Sequence, residues 1–317
     1  MLARLQQFIV STLLVAAIAW AIFWFQRGSP WLAVLGALAI LFVHAPVLGL
    51  EFVLLRRLNR NDPAPTASLR HLLRAWGAEV VAAIQVFGWR QPFRATAQPD
   101  HLPERAKGRR GVVLLHGFVC NRALWNPWMR QLRDNGVPFV AANLEPVFGS
   151  IDQYTPAIDR AVERAIQATG LAPLIVAHSM GGLAARAWLR APGNAERIHG
   201  VVTIGTPHGG TWLGRFGYAR NAREMSLASR WIRDLGAHET KALRSRFTCF
   251  YGHCDNIVFP ASTATLPDAD NRHLAGVAHV HMVSQPEVIS EVLRRLGTSS
   301  SPTEAEDAAS LGAGASR

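Results

Sequence analysis

The stretch that decides the fold reads Pro173-Leu174-Ile175-Val176-Ala177-His178-Ser179-Met180-Gly181-Gly182. Its first half is a short apolar run of the kind that forms a buried strand, and residues 183–190 predict a helix. Ser179 falls on the sharp turn between them. Such a turn brings strand and helix close together, so the positions two before and two after the serine must be small, and here they are Ala177 and Gly181. The stretch therefore predicts a serine oxygen raised out of the backbone as a nucleophile, whereas the simpler interpretation is a serine that caps a helix.

Strand and helix patterns alternate from Gly111 onward, which is typical of a parallel sheet with crossover helices. The predicted strands are residues 112–115, 139–143, 174–177, 200–204 and 247–252. The predicted helices are residues 122–135, 155–169, 181–190 and 286–296. Residues 87–93 are interpreted as an early strand region. The pattern favours the α/β class, with a mostly parallel sheet and helices on both of its faces.

A serine nucleophile needs an orienting acid, which should follow a later strand. Asp255 comes just past the end of the predicted strand 247–252 and is the candidate. Asp268 and Asp270 are the alternatives, but they lie in a polar loop where solvated carboxylates are expected. The simpler interpretation of Asp255 is an ordinary turn aspartate.

The base should be a histidine in a loop beyond the acid, where the sequence reads Gly276-Val277-Ala278-His279-Val280-His281-Met282. His279 follows small residues and is the candidate. His281 is the alternative, and His273 is a weaker one. His178 adjoins the nucleophile but is expected to project away from it and to have a structural role.

Backbone N–H groups are the expected donors for an oxyanion. One belongs to Met180, the residue after the nucleophile, and the other to the loop after an early strand. Leu114-Leu115-His116-Gly117-Phe118 has that form, with Phe118 offering its N–H. The simpler interpretation of Gly117 is an ordinary glycine at the end of a strand.

The composition limits the class of protein. The chain has 317 residues, enough for one α/β domain with an appendage. Its net charge is +11, and without a zinc-finger or repeat signature this charge favours a solvated surface or an anionic membrane over nucleic acid. Three cysteines, Cys120, Cys249 and Cys254, form no paired framework and fit reduced thiols in the cytoplasm. No Gly-x-Gly-x-x-Gly follows an early strand, which disfavours a dehydrogenase.

Two uncharged apolar stretches, residues 8–25 and 31–50, precede this domain, and each is about long enough to cross a bilayer. Trp20, Trp24 and Trp31 cluster near the connecting end, as at a membrane interface. Because the linker between the stretches is short, residues 1–60 predict an antiparallel transmembrane hairpin, with a kink in its second helix at Pro46.

A signal peptide is the alternative for the first stretch, but bulky Phe23, Trp24 and Phe25 occupy the place where a cleavage site needs small residues. Arg27 alone lies in the linker, whereas arginines flank the outer end of both stretches. The positive-inside rule therefore predicts a multi-pass protein of a bacterial-type inner (cell) membrane, with the rest of the chain in the cytoplasm.

Residues 61–110 combine a Pro-rich linker with an amphipathic helix that leads into the main domain, residues 111–297. The apolar positions of this helix recur at helical spacing: Leu69, Leu72, Leu73, Trp76, Val80 and Ile84. We expect the helix to pack on the domain rather than to lie on the membrane. Residues 298–317 are rich in Ser, Ala and Gly without an apolar period and predict a disordered tail.

Residues 111–296 resemble the bacterial triacylglycerol lipases of the α/β-hydrolase fold. The resemblance is carried by His116-Gly117-Phe118, by the Ala-His-Ser-Met-Gly elbow at residues 177–181, and by Gly205-Thr206-Pro207-His208-Gly209-Gly210-Thr211. It implies an α/β-hydrolase fold, ester cleavage through Ser179, His279 and Asp255, a lid at about residues 212–235, and no cofactor. Some family members bind calcium, but no acidic cluster here compels a metal site.

The two N-terminal stretches lie outside the usual pattern of secreted lipases, so we expect a membrane-anchored hydrolase of acyl esters or lipids. A membrane-bound acyltransferase or a thioesterase on the same site is an alternative, as is a non-catalytic scaffold tethered to the bilayer. The intact serine, aspartate and histidine argue against the scaffold. The sequence carries no indication of the oligomeric state.

Overall fold

The fold is built on a parallel sheet. The computed structural model describes residues 1–297, so the predicted tail, residues 298–317, lies outside the described residues. The strands in this part of the chain are β1 (Val112–Leu115), β2 (Phe139–Ala142), β3 (Leu174–His178), β4 (Gly200–Ile204), β5 (Phe247–Gly252) and β6 (Asp270–Leu274). They lie in the order β2-β1-β3-β4-β5-β6, and every neighbouring pair is parallel.

The strands β1 to β4 are buried on both faces, because helices cover both sides of a parallel sheet. One apolar cluster packs against each face, with Ile175 and Val201 in the first and Val176 and Val202 in the second. The alternation of these neighbours follows from the two-residue period of a strand. The carboxyl ends of β3, β5 and β6 consequently lie at one edge of the sheet, and Ser179, Asp255 and His279 all follow those ends.

The α-helices number twelve within residues 1–297. They are α1 (Leu2–Gln26), α2 (Pro30–Leu41), α3 (His44–Leu58), α4 (Leu69–Ala83), α5 (Gln91–Phe93), α6 (Asn126–Asp134), α7 (Thr155–Thr169), α8 (Met180–Leu189), α9 (Arg220–Glu224), α10 (Arg230–Ala237), α11 (Lys241–Arg244) and α12 (Pro286–Arg295). Gly170 ends α7 in the left-handed conformation, as its position in the sequence predicts.

Two predicted elements differ from the structure. Residues 87–93 are helical instead of extended, because a π-helical segment, Ile84–Arg90, continues α4 into α5. The sequence also predicts a polar loop at Asp268 and Asp270, whereas Asp270 begins β6. Within residues 1–297 this edge strand pairs only with β5, and it exposes Asp270 and Asn271, so it lacks the apolar run that marks the inner strands.

The first apolar stretch is a single long helix. Over its 25 residues α1 rises about 37 Å, enough to cross the hydrocarbon core of a bilayer. Its first turns contact α5, since Gln6 donates to the side chain of Gln91 and Gln7 donates to the carbonyl of Pro92. The helix then runs outward to a turn at Gly28.

The second apolar stretch is broken, so the predicted hairpin is borne out only in part. The helix α2 has 12 residues and rises about 18 Å, too little to span a bilayer alone. It meets α3 at a bend of 54°. The bend falls just before Pro46, which lies in the first turn of α3 where proline is tolerated.

The helices α3 and α4 pack on the α/β domain. Phe52 and Leu55 of α3 and Leu72 and Ala75 of α4 share one buried cluster with Phe259 of the domain. The expectation that the amphipathic helix packs on the domain agrees with this contact.

The segment predicted as a lid forms a short 3₁₀ turn followed by α9 and α10. Its apolar side chains differ in burial, and Trp212, Leu213 and Trp231 are half-buried. Met225 and Ile232 are buried, whereas Phe216 and Leu227 are exposed to solvent. Core packing therefore accounts for part of this segment, and a covering role remains a proposal for the exposed part.

Candidate active site

Ser179 lies between β3 and α8 in a backbone conformation that only a strained turn adopts. Its φ is 55° and its ψ is −129°, and a side chain in such a region costs on the order of 1–3 kcal/mol. The turn is possible because Gly181 has no side chain. A β-carbon there would lie 2.7 Å from the carbonyl oxygens of both Leu115 and His116. The close approach of β1 to the elbow thus explains the small residue two positions after the serine.

Asp255 and His279 form a buried pair at the same edge of the sheet. Nδ1 of His279 lies 2.9 Å from Oδ1 and 3.0 Å from Oδ2 of Asp255. Asp255 is fully buried, and Oδ1 also accepts hydrogen bonds from the backbone N–H groups of Ile257 and Val258. These donors fix the carboxylate, and the carboxylate fixes a proton on Nδ1 of the imidazole. Nε2 of His279 is therefore the nitrogen free to accept a proton.

The charges around His279 favour its protonated form. Burial lowers the pKa of His279, but the Asp255 carboxylate, with Glu79 and Glu51 farther away, outweighs burial and raises the pKa above its ordinary value. An imidazole of this kind is a stronger base than a free one.

His178 joins the elbow to the loop that carries His279. Its ring packs against the ring of His279 with 4.6 Å between the centroids, and its Nε2 lies 3.2 Å from the backbone carbonyl oxygen of His279. Because a carbonyl only accepts, Nε2 of His178 carries the proton. Burial, together with the charge of His279, lowers the pKa of His178 well below its usual value, so it stays neutral. The expected structural role agrees with this position.

The loop after β1 lies beside the elbow and is held by His116. Nδ1 of His116 lies 2.9 Å from the carbonyl of Gly117, and Nε2 accepts from the backbone N–H of Leu144. Burial lowers the pKa of His116 to about 4, so the ring is neutral with its proton on Nδ1. Since C=O and N–H point in opposite directions across a trans peptide, a fixed Gly117 carbonyl also fixes the direction of the Phe118 N–H.

Both expected oxyanion donors are backbone N–H groups that the regular secondary structure leaves unpaired. Met180 is the first residue of α8, where N–H groups have no acceptor in the helix. Within residues 1–297 the N–H of Phe118 donates to no protein acceptor. Val119 follows with a φ of 52°, unusual for a β-branched residue. Such strain is often found beside functional sites, but no sequence pattern indicates it.

The alternative residues have other partners. Asp268 pairs with Arg244, and Asp270 pairs with Arg272. Nε2 of His281 lies 3.1 Å from the amide nitrogen of Gln285.

His273 lies beside another histidine, since its Nε2 is 2.8 Å from Nδ1 of His253. None of these four alternatives joins the Asp255–His279 pair. Asn256, which no sequence pattern indicates, also contacts the site, because its Oδ1 accepts from the backbone N–H of His279.

Comparison with known proteins agrees with this architecture. Residues 111–241 match the family model of the α/β hydrolase fold, a range that contains Ser179 and Phe118 and ends before Asp255. Comparison with curated protein sequences gives no significant match.

Two solved structures of lipases share the fold. The mature form of the Bacillus licheniformis lipase BlEst2 superposes with a TM-score of 0.54 at 16% identity, over 61% of this chain and 95% of that one. Aspergillus fumigatus lipase B superposes with a TM-score of 0.54 at 18% identity, over 61% of this chain and 54% of that one. The chain therefore carries an α/β-hydrolase fold, and in structure it is similar to lipases.

Proposed function

We propose that the chain is a serine hydrolase that cleaves carboxylic esters, with Ser179 as nucleophile, His279 as base and Asp255 as orienting acid. The observation that carries the proposal is the buried Asp255–His279 hydrogen bond at the sheet edge where the strained Ser179 also lies. Similarity to lipases in fold supports the reaction class.

The reaction follows from the roles of these groups. Nε2 of His279 takes the proton of the Ser179 hydroxyl while Oγ attacks the ester carbonyl. The imidazolium is stabilised by Asp255 and then gives its proton to the leaving alcohol, which leaves an acyl-enzyme. Water, deprotonated by the same histidine, hydrolyses the acyl-enzyme and restores the serine.

The negative charge that develops on the carbonyl oxygen needs donors that are already oriented. The backbone N–H groups of Phe118 and Met180 are our proposed donors. Backbone groups held by the start of a helix and by His116 do not need to reorganise during the reaction. In comparable sites, removal of one oxyanion donor costs about 2.7–4 kcal/mol of transition-state stabilisation.

The substrate class is proposed from the N-terminal helices. Both α1 and α2 expose large apolar side chains, among them Phe8 (69% exposed), Val15, Trp31 and Leu35. Patches of this kind are typical of a membrane contact. We propose that α1 and the bent pair of α2 and α3 anchor the domain to a bilayer, with the domain on the cytoplasmic side. We propose further that the substrates are acyl esters of lipids.

The proposed chemistry is tested by labelling the full-length protein in detergent with a fluorophosphonate. We expect the wild type to be labelled and Ser179→Ala to be unlabelled, with ester turnover reduced by several orders of magnitude. Ser284→Ala is the matched control, because this exposed serine bonds only to the carbonyl of His281. An unlabelled wild type that is folded would overturn the proposal.

Product analysis then separates the reactions that one acyl-enzyme supports. Hydrolysis predicts free acid from an ester panel. Transfer to an added alcohol would identify an acyltransferase, and faster turnover of thioesters would identify a thioesterase.

The anchor is tested by alkaline extraction of membranes and by sequencing the N-terminus of the mature protein. An extraction-resistant protein that retains Leu2 supports the anchor. Cleavage after about residue 25 would identify a signal sequence and overturn it.

A further inference from the structure

Glu79 of α4 is a buried carboxylate bound to the loop that carries His279. Its side chain is 2% exposed. Oε1 accepts from the backbone N–H of Val280 at 2.9 Å, and Oε2 accepts from that of His281 at 3.0 Å. These two residues begin the 3₁₀ turn that follows the histidine. One side chain, about 200 residues away in the sequence, therefore caps the turn that follows the base.

A second carboxylate reaches the same loop through an amide. The backbone N–H of His279 donates to Oδ1 of Asn256, and Nδ2 of Asn256 donates to Oε2 of Glu51 at 2.7 Å. Glu51 lies in α3, and α3 is joined to α4 directly. The indole N–H of Trp76 in α4 donates to the carbonyl of Ala45 in α3.

Three consecutive backbone N–H groups, those of His279, Val280 and His281, are thus held by groups that α3 and α4 supply or orient. Asp255 fixes only Nδ1 of the imidazole. The place of Nε2, which must meet the serine, also depends on the backbone. A displacement of about 1 Å in a catalytic group can cost about 100-fold in rate.

We propose that Glu79 is a positioning residue for His279, and that α3 and α4 are therefore part of the active site and not only a connection to the anchor. The proposal rests on the proposed hydrolase function. Both helices lie outside residues 111–241, the range that the α/β hydrolase family model matches.

Glu79 also acts on His279 through its charge. The titratable groups that face His279 are Asp255, Glu79, Glu51 and the neutral His178. Burial raises the pKa of Glu79, while the two N–H donors oppose that rise and favour the carboxylate. Replacement by glutamine removes the negative charge and should lower the pKa of His279.

The test compares full-length Glu79→Gln and Glu79→Ala with the wild type in detergent. We expect kcat to fall about 10-fold in Glu79→Gln and about 100-fold in Glu79→Ala, with KM within about twofold, because Glu79 is buried and its carboxylate bonds to backbone N–H groups. The larger loss in the alanine variant, which removes both acceptors, distinguishes positioning from a simple charge effect. Asn256→Leu, of similar volume without the amide, should reduce kcat in the same manner.

Glu291→Gln is the matched control. Glu291 is also a buried glutamate on a helix, but it pairs with Arg272, Arg294 and Arg295 away from the site. We expect this variant to lose stability and to retain kcat.

A measurement independent of turnover completes the test, namely the titration of the His279 imidazole by NMR. A lower midpoint in Glu79→Gln supports the proposal even if the wild type fails to react with a fluorophosphonate, an outcome that would overturn only the hydrolase function. Unchanged kcat and an unchanged His279 titration in a folded, labelled Glu79→Gln would overturn the positioning role and leave the hydrolase function intact.

Discussion

Gly205 lies directly against the ring of His279, because a β-carbon on Gly205 would be 3.1 Å from Nδ1 of the imidazole. The same β-carbon would be 3.0 Å from Oδ2 of Asp255. Gly205 is the first residue after β4 and has a φ of 56°, a conformation that residues with side chains rarely adopt. The hydrogen-bonded pair of Asp255 and His279 therefore packs directly against a glycine.

Gly205→Ala should impair the site more than the fold. The added methyl must displace either the imidazole or the carboxylate by several tenths of an ångström, so we expect kcat to fall about 10- to 100-fold. The measurement is ester turnover beside thermal unfolding. Gly170→Ala is the control, because Gly170 has a φ of 72° but nothing within 4 Å of its β-carbon. It should lose about 1 kcal/mol of stability and no activity. Equal activity loss in both variants would mean that backbone strain, not contact with the pair, is the cause.

The identity of the base is open to a direct comparison of two neighbouring histidines. Nδ1 of His279 bonds to Asp255, whereas Nε2 of His281 lies beside Gln285. We therefore expect His279→Ala to reduce turnover by several orders of magnitude and His281→Ala to retain activity within a few-fold. Single-turnover acylation with a chromogenic ester gives both values. Near-normal acylation in His279→Ala would move the base to His281.

The pH dependence of kcat/KM should report the raised pKa of His279. Only the neutral imidazole accepts the serine proton, so activity is low below this pKa and rises as pH increases through it. Because the pKa lies above the ordinary value of about 6.5, the acid limb should lie above that pH.

Asp255→Asn tests the direction in which Asp255 shifts the pKa of His279. It removes the carboxylate that raises the pKa, so the acid limb should move to lower pH while kcat falls about 10⁴-fold. An acid limb that stays at the same pH in Asp255→Asn would show that this limb belongs to a group other than His279.

The parts of the fold that the sequence predicted are those that depend on local pattern. The strands β1 to β5 are mostly apolar because both faces of a parallel sheet are buried, and the predicted bounds agree within one residue. The elbow was also local, since the tight turn at Ser179 requires small neighbours. The edge strand β6 was missed because half of it faces solvent and its composition is polar.

The parts that the sequence could not predict are contacts between distant segments. Asp255 could be placed after a predicted strand and His279 in a loop beyond it, and the structure brings the two into hydrogen-bond distance, while their catalytic roles stay a prediction. No pattern in α4 distinguishes Glu79 from the exposed charges of an amphipathic helix. Its partners, the N–H groups of Val280 and His281, are backbone groups that leave no signature in the sequence.

A buried ion pair behind the elbow gives the last prediction. Arg186 of α8 binds Glu239 through two bonds of 2.7 and 2.8 Å, and each side chain is 3% exposed. A third bond joins Arg186 to the carbonyl of His208, in the loop after β4. The pair therefore connects the helix that follows Ser179 to the segment beyond α10.

Removal of one partner leaves a buried charge without a counter-ion, which costs about 3–5 kcal/mol. We expect Arg186→Met to lower the unfolding midpoint strongly, and Arg186→Met with Glu239→Gln to recover part of the loss, because no uncompensated charge then remains. Arg230→Ala is the control, since its pair with Asp234 is 3.6 Å long and solvent-exposed and should contribute under about 1 kcal/mol. Thermal unfolding of the four proteins gives the comparison. If Arg186→Met and Arg230→Ala shifted the midpoint equally, the Arg186–Glu239 pair would contribute no more than an ion pair in water, and α8 would owe its position to apolar packing alone.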